Sequence, residues 1–300
     1  MTASPQNSHQ DMKKKNNRLR ISTRICRLVG RAIYRYDMIT PGDRIAVGVS
    51  GGKDSLMLLY LMKYINTYSP VKYDLQAISV DMTNGEWDTT PLRKICDELK
   101  VPLTIVPYAI EYIIEAKGEK SPCALCANLR RGILNTTAQR LGCNKIALGH
   151  NFDDVVETAL MNLLRNGRFR SFQPKLWHDR VDIWLIRPMI YLTERQILNE
   201  VDRLGIKTCQ HCCKFGADTE RSRTKTLIAE LSPRFPDIKR SILHALENHH
   251  EGDQWTPTPR RYTGVYFYPY PDKPLPENAD VPAAPSAGPK EENEKEDQKS

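Results

Sequence analysis

Four short apolar runs rich in β-branched residues recur along the chain: RIAVGVS from Arg44, LQAISVDM from Leu75, LTIVPYA from Leu103 and KIALGH from Lys145. Apolar runs without polar alternation read as strands buried on both faces, and sheets covered on both faces are mostly parallel. Between and after the runs, residues 54–66, 92–99, 124–141 and 152–165 carry apolar side chains at helical spacing. Strand and helix in alternation predict an α/β fold, a doubly wound parallel sheet with ligands at the carboxyl ends of its strands. Three further helical patterns, 193–204, 219–231 and 237–248, predict a small helical C-terminal subdomain.

The chain of 300 residues suffices for one enzyme-sized domain with appendages. The expected boundaries are a polar, disordered N-terminus over 1–17, an α/β domain over 18–190, the helical subdomain over 191–255 and a disordered tail over 256–300. The net charge is +8, but the last 30 residues hold eight acidic and four basic side chains, so residues 1–270 carry +12 by subtraction. Such a charge suits a polyanionic partner. The helix ahead of the first strand, RLRISTRICRLVGRAIYRYDMI, sets Ile21, Ile25, Leu28, Val29 and Ile33 on one side and Arg20, Arg24, Arg27, Arg31 and Arg35 on a neighbouring stripe. That stripe is either a solvated face or a nucleic-acid contact. No run approaches the roughly 18 apolar residues of a membrane span. The N-terminus also has no apolar stretch after its lysines to act as a secretory signal, so a cytoplasmic protein without membrane association is expected. The eight cysteines are then thiols or metal ligands rather than a disulfide framework.

The stretch VGVSGGKDS, Val47 to Ser55, ends the first run. Ser50, Gly51 and Gly52 follow a buried strand, and Asp54 and Ser55 open a helix, which turns backbone N–H groups and a helix N-terminus onto one anion. The spacing excludes a Walker loop: Gly48 stands one residue too close to Gly52, and Asp54 takes the place of the hydroxyl that should follow Lys53. A second strand end, LGHNFDD from Leu148 to Asp154, brings Gly149, Asp153 and Asp154 to the start of another helix. The two carboxylates either hold Mg²⁺ and orient phosphates or cap the helix. Asp81, which ends the second run, either touches the nucleotide or its metal or closes a turn.

Cys123 and Cys126 form PCALC at the mouth of a helix, and Cys209, Cys212 and Cys213 lie in CQHCC. Two C-x-x-C pairs suit a tetrahedral zinc site or an iron–sulfur cluster, although the 82 residues between them exceed the span of a compact zinc module. Cys26, Cys96 and Cys143 fall in apolar patterns and read as core. His150 is either catalytic or packed beneath the phosphate loop, and His211 reads as a spacer between cysteines. Phe172, Trp177 and Trp184 are either core or a platform for an unpaired base.

The loop SGGKDS resembles the S-G-G-x-D-S signature of the PP-loop ATP pyrophosphatases, a superfamily with an adenine nucleotide alpha hydrolase-like fold that cuts ATP between the α and β phosphates. In order after it, CALCANLRRGILNTTAQRLGCNKIALGHNFDD, PKL at Pro174 and IRPMIYLTERQI at Ile186 resemble the tRNA 2-thiocytidine synthetase family, over roughly residues 20–250. The resemblance implies that Ser50, Gly51, Gly52, Lys53, Asp54, Ser55, Asp81 and Gly149 bind ATP, with Lys53, Asp54 and Asp154 catalytic and Mg²⁺ at the phosphates. It implies a [4Fe-4S] cluster on Cys123, Cys126 and a third cysteine, leaving one iron open for sulfur. Cys212 matches that ligand as the second cysteine of a C-x-x-C, and Cys213 is the alternative by its spacing to Arg221. Four thiolates would close the open iron. The implied reaction adenylates O2 of a tRNA cytidine and replaces it with sulfur, giving 2-thiocytidine. Arg130 and Arg131 then either offset cluster charge or hold the tRNA backbone, or are exposed helix residues. The implied partners are tRNA and a sulfur donor such as a cysteine desulfurase, with a homodimer possible. A tRNA 2-thiouridine synthetase and a zinc-stabilised RNA-binding protein without catalysis are the competing expectations.

Overall fold

The computed structural model describes residues 20–118, 122–209 and 219–248. Within them α1 (Thr23–Arg35) leads into β1 (Arg44–Gly48), α2 (Lys53–Tyr68), β2 (Asp74–Asp81), α3 (Thr90–Leu99), β3 (Leu103–Pro107) and α4 (Ile110–Lys117). There follow α5 (Pro122–Arg140), β4 (Lys145–Ala147), α6 (Phe152–Asn166), β5 (Lys175–His178), β6 (Ile183–Ile186), α7 (Glu194–Leu204), α8 (Glu220–Leu231) and α9 (Ile238–Glu247). The strands form a six-stranded sheet in the order β3-β2-β1-β4-β6-β5. From β1 the chain adds β2 and β3 on one side, then crosses back to place β4 on the other side of β1, so the strand order reverses between these two parallel neighbours. A crevice outside their carboxyl ends is where ligands bind in open α/β sheets.

Alternate residues of β1 feed two cores. Ile45 and Val47 join α1, α2, α3 and α7 on one face of the sheet. Ala46 joins Ile78, Ile146, Ile183 and Leu185 with Ala138 of α5 on the other. Helix α2 is enclosed on nearly every side, with Leu56, Met57, Leu58, Leu59, Leu61 and Met62 all inaccessible. This is the behaviour of a helix apolar all round. Cys96 and Cys143 are buried core thiols as expected, and Cys26 is half-buried. At the amino edge of the sheet, Lys145 Nζ and Asp43 Oδ2 make a buried ion pair at 2.7 Å that ties β4 to the entry of β1.

The sheet departs from the expected all-parallel arrangement at one edge. β6 extends it in parallel beside β4, but β5 pairs antiparallel with β6, with Trp177 directly opposite Trp184. Each of these strands has four residues, and their turn carries no glycine: Asp182 itself takes φ +47. A hairpin that short, without the usual Asn-Gly or Gly signal, leaves little periodicity to read. The eight-residue α4, which buries Ile110 and Ile114, was likewise absent from the sequence expectation. Helices α8 and α9 pack on α6 through Phe152, Val156, Ile228 and Ile242.

Candidate active site

After β1 the chain turns through Ser50, Gly51 and Gly52 into α2, with Gly51 at φ +77, a conformation open to glycine at little cost. Ser55 folds back on the loop: its Oγ accepts from Ser50 N at 3.1 Å and donates to the Gly52 carbonyl at 3.0 Å. Gly52, the residue before α2, offers no side-chain cap. The first amides of the helix therefore face the crevice with the positive end of its dipole.

The chain after β4 meets this loop. Asn151 caps α6 reciprocally with Asp154: Asp154 N donates to Asn151 Oδ1 at 3.1 Å and Asn151 N to Asp154 Oδ2 at 3.0 Å. Asn151 Nδ2 also donates to Asp54 Oδ1 at 3.2 Å, a bridge between the two loops. Gly149 eases their crossing, because a Cβ there would stand 3.2 Å from the Asp54 carbonyl and from Ser55 N, closer than ordinary van der Waals contact. Lys53 Nζ lies 2.7 Å from Asp54 Oδ2 and 3.1 Å from Glu194 Oε1 at the start of α7. Burial, reinforced by the neighbouring Asp54 charge, raises the Asp154 carboxyl above the usual aspartate range, while its Asn151 amide bond and Arg221 oppose the rise. Arg221 Nη1 bonds Asp154 Oδ1 at 2.9 Å.

The adjacent Asp153 has a different task. Its Oδ1 pairs with Lys239 Nζ of α9 at 2.6 Å, and its Oδ2 accepts from Glu194 N at 2.6 Å, so it fastens α6 to α7 and α9. Asp81 commits both oxygens to its own turn: Thr83 N and Oγ1 donate at 2.9 and 2.7 Å, and Gly85 N at 2.7 Å. His150 packs against Phe172 with ring centroids 4.6 Å apart and planes tilted by 41°, and its Nδ1 accepts from Arg187 Nε at 3.3 Å. Burial first, then Arg187 and Arg221, push its pKa down to about 3, so the imidazole stays neutral and supplies no cation at ordinary pH. Trp177 and Trp184 pack with centroids 5.1 Å apart and planes tilted by 56°, with Trp177 exposed.

Cys123 and Cys126 occupy the first turn of α5, three residues apart and so on one face. Cys126 Sγ lies 3.6 Å from Met82 Sδ, just past the end of β2, which puts this turn at the carboxyl edge of the sheet with the phosphate loop. From the second cluster, Cys209 N donates to the Gly51 carbonyl at 2.9 Å, and Trp87 Nε1 donates to the Cys209 carbonyl at 3.1 Å. Cys212, Cys213 and His211 lie outside the described residues. Among the described residues no three His, Cys, Asp or Glu side chains gather into a metal-binding group, so Cys209 does not complete one with Cys123 and Cys126. Exposed Arg131 donates to Asn128 Oδ1 at 2.5 Å, and Arg130 beside it is half-buried.

Several residues of the site escaped sequence reading. Glu194, which links Lys53 to Lys225, opens a helix and looks like an ordinary first-turn acid. Arg187 is 6% exposed, donates to the Gln173 carbonyl at 2.5 Å and lies over the Phe172 ring, and burial followed by Arg131 lowers it to about 10. Glu157, one turn beyond Asp154 and 3.8 Å from Arg221, is raised to about 7, chiefly by burial. Its spacing of three from Asp154 was the available signal, since that places both carboxylates on one helix face.

Residues 20–224 match a family model described as the PP-loop domain. The tRNA-cytidine(32) 2-sulfurtransferase of Geobacter sulfurreducens is 38% identical over 224 residues, 73% of this chain and 87% of that protein. The protein of the same name from Coxiella burnetii is 36% identical over 233 residues, 76% of this chain and 91% of its own length. Among solved structures, the U34-tRNA thiolase NcsA from Methanococcus maripaludis, with its [4Fe-4S] cluster, superposes with a TM-score of 0.62 at 26% identity, covering 77% of this chain and 80% of that one.

Proposed function

Because the chain belongs to the PP-loop family, within its tRNA 2-thiocytidine synthetases, we propose that it is an ATP-dependent tRNA sulfurtransferase that converts a cytidine to 2-thiocytidine. One observation carries the reading: the uncapped loop Ser50–Ser55 and the Asn151–Asp154 loop close on each other through Asp54 at the β1/β4 crevice, on the same edge of the sheet as Cys123 and Cys126.

A carbonyl oxygen cannot depart readily as oxide, so it must first be made a leaving group. Cytidine O2 attacks the α-phosphorus of ATP, and pyrophosphate leaves. A sulfide equivalent then adds at C2, and the original oxygen departs with AMP. The loop amides and Lys53 stabilise charge on the phosphates, with Glu194 orienting the lysine. Asp54 and Asp154 are suited to Mg²⁺, which usually takes one or two carboxylates together with substrate phosphates. Gly149 lets the two loops approach, Ser55 holds the loop's curvature, and Asp81 shapes the turn after β2.

The donor chemistry of Cys123 and Cys126, two thiols on one face of a helix end, fits thiolate ligation. Cys212, with Cys213 as the alternative, would complete the set from outside the described residues. A [4Fe-4S] cluster held there would supply an iron site open to sulfide. The substrate is then tRNA, the sulfur source a cysteine desulfurase whose persulfide is reduced to sulfide by a thiol, the assembly a homodimer and the location cytoplasmic. Among the described residues no helix is long and apolar enough to cross a membrane. The thiouridine reading is not favoured, because the curated relatives are cytidine enzymes.

Oxygen-free protein incubated with ATP, tRNA and sulfide is expected to release AMP and form 2-thiocytidine, measured by nucleoside mass spectrometry. Cys123→Ala should abolish thiolation while ATP affinity is unchanged. Thiolation retained by that variant would sink the cluster mechanism, and absence of AMP with the wild type would sink the enzyme reading.

A further inference from the structure

Helix α1 presents two unlike faces. Ile25, Val29 and Ala32 are buried against the core, while Arg24, Arg27, Arg31 and Arg35 are exposed, and the helix carries no acidic residue. With Arg20 just ahead of it, these arginines are spaced by four, three, four and four residues. At 100° per residue such spacing confines them to an arc of about 80°, a single stripe about 16 Å long from Arg24 to Arg35. Like charges one turn apart destabilise a helix, so the stripe works against the stability of the element that bears it. Arg35 pairs with Glu247 at 3.4 Å. Among the described residues Arg20, Arg24, Arg27 and Arg31 form no ion pair, and Arg31 lies 4.8 Å from the centre of the Tyr191 ring.

The stripe has a direction. At its start Arg203 Nη2, at the end of α7, donates to the Arg20 carbonyl at 2.6 Å. At its other end Arg31 covers Tyr191, three residues before Glu194, which holds Lys53 of the phosphate loop. The row of uncompensated charge therefore leads along α7 towards the active-site edge. Tyr34, 91% exposed, stands beside it as a flat face for a ribose or an unpaired base.

We propose that the arginine stripe of α1 is a docking track for the phosphate backbone of the tRNA substrate. The inference rests on the sulfurtransferase reading and adds where the RNA is held. An anionic membrane shares the charge, but an interfacial helix needs an apolar face to insert, and that of α1 is already buried in the core.

The test is a salt series of tRNA binding by the full chain and by the triple variant Arg24→Gln/Arg27→Gln/Arg31→Gln. Each backbone phosphate contact contributes about 0.7–0.9 to the slope of log affinity against log salt. The variant should lose about 2–3 from that slope and bind at least about tenfold more weakly near physiological salt, with ATP affinity unchanged. Wild-type affinity and slope in the variant overturn the track alone, as does a loss confined to phosphatidylserine vesicles with tRNA binding intact. A wild-type chain that binds no tRNA overturns the sulfurtransferase reading together with the track. If the triple variant melts early, the single reversals Arg24→Glu and Arg27→Glu, each expected to weaken tRNA binding several-fold, decide the question.

Discussion

Ser55 and Glu157 show how position within the fold changes what a side chain does. The hydroxyl of Ser55 suits a phosphate in sequence, yet in the structure it bonds Ser50 N and the Gly52 carbonyl and is 8% exposed. Ser55→Ala should leave the Ser50 amide without this partner and loosen the loop, at about 1–3 kcal/mol. Calorimetry should then find ATP bound roughly tenfold more weakly, a ratio equivalent to about 1.4 kcal/mol of that loss. Glu157 titrates in the opposite sense to a salt-bridged acid. Burial raises its pKa to about 7 from 4.5, and the nearby Asp154 charge adds to the rise, which outweighs the lowering by Arg221 and Lys225. The folded state binds the proton more tightly than the unfolded chain, so this group weakens stability progressively as pH rises from about 4.5 to 7. Glu157→Gln is expected to be more stable than wild type at pH 8 by about 1–3 kcal/mol, and so to melt higher, with the advantage fading by pH 5. Equal melting temperatures at pH 8 would show that the carboxylate costs nothing there.

At the level of elements, α6, α7 and α8 are each opened by a reciprocal cap, and two of these caps serve different ends. Asn151 caps α6 and Thr193 caps α7, each with a reciprocal bond from the third helical residue. Removing either cap with alanine should cost about 1 kcal/mol in denaturant unfolding. Only Asn151 also reaches Asp54, so Asn151→Ala alone should weaken ATP binding, while Thr193→Ala should leave it near wild type. Equal nucleotide affinities in the two variants would show that the bridge between the loops is dispensable. The capping box of α6 also separates the directions of Asp153 and Asp154. Successive helical residues point about 100° apart. Asp154 therefore turns towards Asn151 and Arg221, whereas Asp153 turns towards Lys239 and α7.

For the whole molecule, the two edges of the sheet divide the work. The amino edge is clamped by Lys145 and Asp43, whose side chains are 5% and 3% exposed. Burial by itself would raise the Asp43 pKa, but hydrogen bonds from Lys145, Thr40 and Asn144, with the lysine charge, hold it below its ordinary value. Its stabilising contribution is therefore present above the ordinary aspartate range and lost as pH falls through its lowered value. Lys145→Met should cost about 3–5 kcal/mol in urea unfolding at pH 7, because it strands a buried carboxylate. A loss below about 1 kcal/mol would mean that water reaches Asp43. The carboxyl edge instead gathers the phosphate loop, Gly149, Asp154 and the Cys123–Cys126 turn. The four core strands and the helices between them were legible in the residues alone. Apolar runs, helical spacing and a glycine pair after a strand are local signals set by neighbouring residues. Tertiary structure alone decided that β5 runs antiparallel, that Ser55 and Asp81 serve their own turns, and that Glu194, Arg187 and Arg221 enter the site. Those outcomes depend on which distant segments meet: Glu194 reaches Lys53 only because α7 starts beside the crevice, and no spacing along the chain encodes that encounter.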